Sequence, residues 1–385
     1  MNSFWIVLGM SSALVMTPLP SEGNGSESEM GPAEGAEIPP RDEAPAGIIN
    51  GEEASADDFP MTGGMLMDAT INFGSGGGYD IRTFVCSSTL IAPDVVLLAA
   101  HCVDPYAMTF GIGEMENVEV RWSRESDLSA HDGAEIADWP SDSVVAADWV
   151  MHPDWDMAAV ATGLQENNDI ALIFLEEPVL DTPHAYLITA EEADQVVVDA
   201  EVEVVGWGQQ IATGFGEPPP PGSFAYKRMG TSFINELAEF EMQVGAVEDD
   251  VRKCHGDSGG PTFLFVDSES EEKMRLIGVT SHAYDESDCA STGGVDTRVG
   301  PYLDWIEAEL VSRCEDGSRA WCDEMGIVEA PLPTTGDSDP ADDDGAGGCA
   351  CSSASSLPGM SLLAILGLLG LVGGRRRVGG ARNGL

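Results

Sequence analysis

Basic side chains are scarce in this chain of 385 residues, where 17 lysines and arginines stand against 67 aspartates and glutamates for a formal charge of -50. Such a surface repels a polyphosphate backbone, so nucleic-acid partners are excluded, and the acids read as a solvated surface. Long apolar runs are missing as well. The first run, Phe4 to Val15, is broken by Pro18 and Pro20 and is too short for a stable span; it reads as a secretory signal peptide over 1–20, although that stretch carries no Lys or Arg. Sustained helical periodicity is absent from the stretch between Met61 and Leu98. From Met61 to Leu98 short runs rich in Val, Ile, Thr and Phe alternate with turn residues, including Gly74 to Gly78, which predicts antiparallel barrel strands.

Between 21 and 47 large apolar residues are few and Gly, Ser, Pro and Glu dominate, so this segment buries too little surface to fold and reads as a propeptide. A domain follows over 48–322. Residues 323–348 turn Asp-, Pro- and Gly-rich, as in a flexible acidic linker. Cys349, Ala350 and Cys351 then precede a thin apolar run from Leu357 to Gly374 and the arginines 375–377. That order predicts a C-terminal signal over 349–385 with a short apolar helix whose basic end stays cytoplasmic, leaving the domain outside. Eight cysteines behind a signal peptide imply an oxidising compartment.

Residues 256–261 read Gly-Asp-Ser-Gly-Gly-Pro, a poor setting for a core residue and a good one for an exposed hydroxyl. Glycine-rich backbone frees the Ser258 side chain and aims nearby N–H groups at a bound carbonyl. A serine is a weak nucleophile until a base takes its proton, which requires a histidine and an orienting acid. Both stand upstream: Ala99, Ala100, His101 and Cys102 close an apolar run from Val95, and Asn168 and Asp169 open another. These three motifs, in the order His, Asp, Ser, resemble the signatures of the chymotrypsin-like (trypsin-like) serine endopeptidases. The resemblance extends from about 48 to 311, through Gly206-Trp207-Gly208 and an amphipathic stretch from Pro301 to Val311. It implies an all-β fold of two packed six-stranded antiparallel barrels with a C-terminal helix and the site between the barrels, to which composition adds disordered tails. The acidic stretch from about Ser123 to Asp148 is expected to be a surface insertion, followed by a strand at His152 and Pro153.

By this resemblance His101 is the general base, Asp169 holds its ring and Ser258 attacks the scissile carbonyl, with the N–H groups of Gly256 and Ser258 as an oxyanion hole. Ile48 resembles a mature N-terminus whose new ammonium pairs with Asp257, although Asn50 stands where the family has glycine and an ordinary edge strand is the other reading. Arg41 is the only base before Ile48, so activation is expected by a cut after Gly47 rather than by a trypsin-like activator. The specificity pocket falls on Arg252, Ser281, Ala283, Gly294 and Asp296. Arg252 at its base speaks against cleavage after basic residues, and Asp296 either neutralises Arg252 or leaves it to attract acidic side chains. His282, in the place of a common tryptophan, and His255 read as subsite walls.

The resemblance pairs Cys86 with Cys102 and Cys254 with Cys289, while Cys314 and Cys322 pair locally. No metal or cofactor is implied. The tail resembles the sorting signals of myxobacterial surface proteins, in which Cys349 marks processing. The implied function is a secreted, surface-sorted endopeptidase with peptide or protein substrates, an activating protease and a sorting machinery as partners. The rival is an inactive homologue serving as a binding or adhesion module, which would not need all three motifs.

Overall fold

A computed structural model describes residues 48–74, 78–109, 111–131, 138–211, 219–247, 249–268, 270, 272–285, 292–319 and 321–322. The segments expected to be a signal peptide, propeptide, linker and C-terminal signal, with its expected apolar helix and Cys349, lie outside them. Among the described residues thirteen strands run in chain order. They are β1 Glu52–Glu53, β2 Thr62–Asn72, β3 Gly78–Ala92, β4 Val95–Leu98, β5 Glu114–Ser123, β6 Val144–Met151, β7 Ala171–Leu175, β8 Glu201–Gly206, β9 Arg228–Leu237, β10 Glu241–Val244, β11 Pro261–Phe265, β12 Met274–Ala283 and β13 Gly294–Arg298. Among the described residues lie the helices α1 Pro105–Thr109 and α2 Leu303–Asp316.

Strands β2-β3-β4-β7-β6-β5 close into the first barrel. The second closes through the extra β8–β9 pairing in the order β9-β10-β13-β12-β11-β8, with β1 added along β9. This is the chymotrypsin-like architecture of two six-stranded antiparallel barrels and a closing helix. Sequence pattern follows burial: in β8 Glu201 is exposed while Val202 and Val204 are buried, the period-two alternation of a strand with one wet face. Strand β4, by contrast, is apolar at every position and fully buried, because both of its faces are covered. A contiguous core runs through both barrels, and Phe59 stacks on Phe263 at 5.6 Å between centroids.

The acidic stretch after β5 is not only an insertion. Val144–Met151 forms β6, a barrel strand paired with β5 and β7, and Leu128 and His131 are buried. The strand expected at His152 and Pro153 thus lies just earlier in the chain, where Val144–Met151 is apolar except for Asp148. Helix α2 buries Ile306 and Leu310 one turn apart and ends at Gly317, whose φ of 79° suits a residue without Cβ. Beyond it the Cys314–Cys322 disulfide closes a loop that places Arg319 on Asp94, with Nη2 to Oδ1 at 2.7 Å. Among the described residues no helix is long and apolar enough to cross a membrane.

Candidate active site

His101 lies on a single 3-10 turn, Ala100–Cys102, directly after β4, and the Cys86–Cys102 disulfide ties that turn to β3. Asp169 stands two residues before β7, which pairs with β4, so strand pairing carries the two side chains to the same barrel end. The turn into Asp169 uses Asn168 at a φ of 57°, a conformation asparagine tolerates. It is held from the second barrel: the Tyr302 hydroxyl donates to Asn168 Oδ1 at 3.1 Å and Thr297 Oγ1 to the Asp169 carbonyl at 3.0 Å.

The Asp169 carboxylate is buried and accepts three bonds: the His101 amide at 2.9 Å on Oδ1, and His101 Nδ1 at 2.7 Å and Ser281 Oγ at 2.6 Å on Oδ2. Burial by itself would raise this carboxyl, but the neighbouring His101 charge and these donors outweigh it and hold it below the usual carboxylate range. An ionised carboxylate only accepts, so the neutral His101 ring carries its proton on Nδ1 and presents Nε2 as a base.

Ser258 sits half-buried in the loop that runs from Cys254 into β11. Two glycines set that loop. Gly256 has a φ of 94°, and a Cβ there would lie 2.7 Å from the Phe224 ring; Gly259 has a φ of 77°, and a Cβ there would lie 2.3 Å from the Ser87 carbonyl and 3.0 Å from Leu98 Cβ. Gly259 is therefore pressed against the end of β4, three residues before His101, which draws the serine motif to the histidine motif. The amides of Asp257, Gly259 and Gly260 bond to Cys254 O, Thr280 O and Asp257 O. Ser87, on β3, bridges the barrels: its hydroxyl donates to Gly256 O at 3.0 Å and accepts from Trp207 N at 3.0 Å.

Asp257 and Ile48 are both wholly buried. The Asp257 carboxylate accepts from the amides of Gly208 at 2.8 Å and Cys254 at 2.9 Å. Burial pushes it up to about 7 against those donors and the Lys253 charge. Ile48 has a φ of 35°, its carbonyl accepts from Gly51 N at 2.6 Å, and Ile49 forms an antiparallel bridge with Arg252.

The pocket residues are arranged differently from the sequence expectation in two respects. Asp296 does not serve Arg252: its carboxylate takes Lys253 Nζ and the Thr262 hydroxyl, and Lys253 Nζ also donates to Thr262 Oγ1 at 2.7 Å. Asp296 projects from β13 beneath β12, where Lys253 reaches it and both are fully buried. Burial depresses the Lys253 ammonium and Asp296 opposes the shift. Ser281 turns its hydroxyl to Asp169 rather than to a pocket. Ala283 and Gly294 face each other in the β12–β13 ladder, and Arg252 is buried on the 252–254 segment beside them. His255 gives its carbonyl to Gln209 N.

Three contributors escape sequence reading. Glu241, at the start of β10, is fully buried and accepts from Gln165 N at 2.7 Å and Asn167 Nδ2 at 2.9 Å. Burial pushes it up to about 8 despite those donors. The other two are Ser87 and the link from Ser281 to Asp169. None carries a local signal, because each partner lies far away in sequence. Cys254 is disulfide-bonded, and its expected partner Cys289 lies outside the described residues. Among the described residues Cys86, His101 and Cys102 cluster within metal-binding reach, but the two sulfurs are bonded to each other and offer no thiolate.

The trypsin family model matches residues 48–306. The chain is 28% identical over 278 residues to chymotrypsin-like elastase family member 1 of Homo sapiens, covering 70% of this chain and 95% of that protein. It is 28% identical over 280 residues to tryptase of Mus musculus, covering 68% and 87%. It is also similar to phenoloxidase-activating factor 1 of Holotrichia diomphalia, 25% identical over 276 residues with 68% and 70% covered. Given a match that spans both barrels and the motifs on which His101, Asp169 and Ser258 stand, the chain belongs to the trypsin family and is a serine-type endopeptidase.

Proposed function

We propose that this endopeptidase works through His101, Asp169 and Ser258, with acyl transfer to Ser258. The observation that carries the reading is the buried His101–Asp169 pair at 2.7 Å beside a serine loop pressed onto the end of β4. Ser258 Oγ attacks the scissile carbonyl as its proton passes to His101 Nε2, and the imidazolium that forms is stabilised by Asp169. The carbonyl oxygen, now negative, is met by the N–H groups of Gly256 and Ser258, worth about 3 kcal/mol per donor at the transition state. His101 then gives its proton to the leaving amine, and water, activated by the same ring, releases the acyl group.

Activation is a cut after Gly47 that frees the Ile48 ammonium to pair with Asp257. The high proton affinity of Asp257 supports this reading, since a buried carboxyl at about 7 is stabilised in its charged form by an incoming cation. Secretion is supported by the disulfides, and residues 349–385 retain the enzyme at the cell surface, with Cys349 as the processing point.

The test is labelling of the expressed full chain with a fluorophosphonate, followed by sequencing of the labelled chain. The expected outcome is a single adduct on Ser258, in a chain that begins at Ile48 and moves from the surface to the medium when residues 349–385 are deleted. Ser258→Ala should abolish labelling and hydrolysis while leaving the fold intact. Hydrolysis by that variant, or a folded wild type that fails to label, would overturn the catalytic reading and favour a binding module.

A further inference from the structure

His282 stands at the end of β12, half-buried, with both ring nitrogens in contact with fixed groups. Nδ1 lies 3.0 Å from Ser281 Oγ and Nε2 lies 3.2 Å from the Gly163 carbonyl. The Ser281 hydroxyl has one proton and donates it to Asp169 Oδ2 at 2.6 Å, so toward His282 its oxygen can only accept. A carbonyl also only accepts. The site thus offers an imidazole two acceptors and no donor, and only a ring protonated on both nitrogens satisfies both contacts. The contact on Nε2 is reinforced by the chain itself, because Gly163 N donates to the Tyr284 carbonyl at 3.3 Å and so clips the loop before β7 to the continuation of β12.

We propose that His282 is a positioning residue for the His101–Asp169 pair: a proton bound there locks Ser281 onto Asp169 and holds Gly163, and its release loosens both. This rests on the reading of His101, Asp169 and Ser258 as the catalytic set. The charged groups facing His282 are Asp169 ahead of β7, His101 on the turn after β4, and Asp296 on β13, which Lys253 neutralises; Glu241 on β10 lies behind Asp169 and Asp296. Burial dominates and holds His282 below the ordinary histidine value, against the opposing pull of the Gly163 carbonyl and Asp169, so the proton is taken up toward acid pH. Protons on His282 and on His101 would repel each other across the single Asp169 carboxylate.

The experiment measures kcat/KM against pH for wild type, His282→Gln and His282→Phe, with histidine ring resonances followed by NMR in the same proteins. Glutamine keeps hydrogen bonding but takes no charge. The acid limb of His282→Gln should lie higher by about one pH unit and fall with a single-proton slope, and the second inflection seen at the His101 ring in wild type should vanish. A packing role alone would leave the His282→Gln profile on that of wild type, which would overturn the proposal. If the wild type hydrolyses no peptide, the catalytic reading fails while the resonances still decide the coupling: one inflection in every protein sinks it. Should the His282 variants not fold, Ser281→Ala frees the His282 ring from Asp169 with both rings in place and should shift the second inflection, whereas an inflection unmoved from wild type would overturn the proposal.

Discussion

Lys253 and Arg252 are adjacent buried cations, and on the proposed reading of Arg252 as a pocket residue the pairing of Lys253 bears on what that pocket would accept. Lys253 is neutralised by Asp296 in a fully buried pair that also engages Thr262. Asp296 is therefore committed and offers no carboxylate to an incoming cation. In the proposed pocket Arg252, buried six residues before Ser258, would set like charge against a substrate Arg or Lys. A peptide library cut by the purified enzyme should show Arg and Lys among the poorest residues before the scissile bond, and Arg252→Ala should relieve the discrimination. A dominant preference for Arg or Lys would refute this account. Asp296→Asn should act on stability rather than on specificity, because it strips Lys253 of its partner.

At the scale of elements, the loop between β6 and β7 is held by β10 through Glu241, which takes Gln165 N and Asn167 Nδ2. Its folded value of about 8 lies above the ordinary 4.5, so the folded state binds a proton that the unfolded state has released between those limits. The contribution to stability is complete below the ordinary value and is lost as pH rises toward 8, at about 1.4 kcal/mol per pH unit inside the window. Asp257, raised to about 7 from 3.8, acts in the same direction over a lower range. In a Ser258→Ala background that prevents self-digestion, the melting temperature should fall from pH 5 to pH 8. Glu241→Gln should flatten the upper part of that fall, leaving the Asp257 share; an unchanged slope would show that Glu241 is ionised throughout.

Across the whole molecule, the closing helix and the loop beyond it fasten the second barrel's end to the first. Arg313 on α2 reaches Asp148 on β6 at 2.7 Å, and Arg319, inside the Cys314–Cys322 loop, forms a bidentate pair with Asp94 between β3 and β4. The Asp94–Arg319 pair is almost wholly buried, so removing one partner strands a charge. Arg319→Met should cost about 3–5 kcal/mol, read as a fall of roughly 10 °C in Tm, while Arg319→Met with Asp94→Leu should recover most of it. Equal melting of the single variant and wild type would mean that the clip contributes nothing.

Features written in neighbouring residues are legible in the chain: the trypsin family through His101, Asp169 and Ser258 and their flanking motifs, strands from apolar runs between turns, and a closing helix from the spacing of Ile306 and Leu310. The acidic composition around 123–148 blurred the start of β6, whose apolar run Val144–Met151 begins inside that stretch and ends beside the strand expected at His152. Only the tertiary structure decided which buried charges meet. Lys253 rather than Arg252 takes Asp296, Ser281 turns to Asp169, Ser87 braces Gly256 and Arg319 finds Asp94. The physical reason is that a buried ionisable or hydroxyl group is satisfied by whatever the barrel register brings within about 3 Å, and that register is set by strand pairing over separations of 43 to 225 residues, which no local pattern encodes.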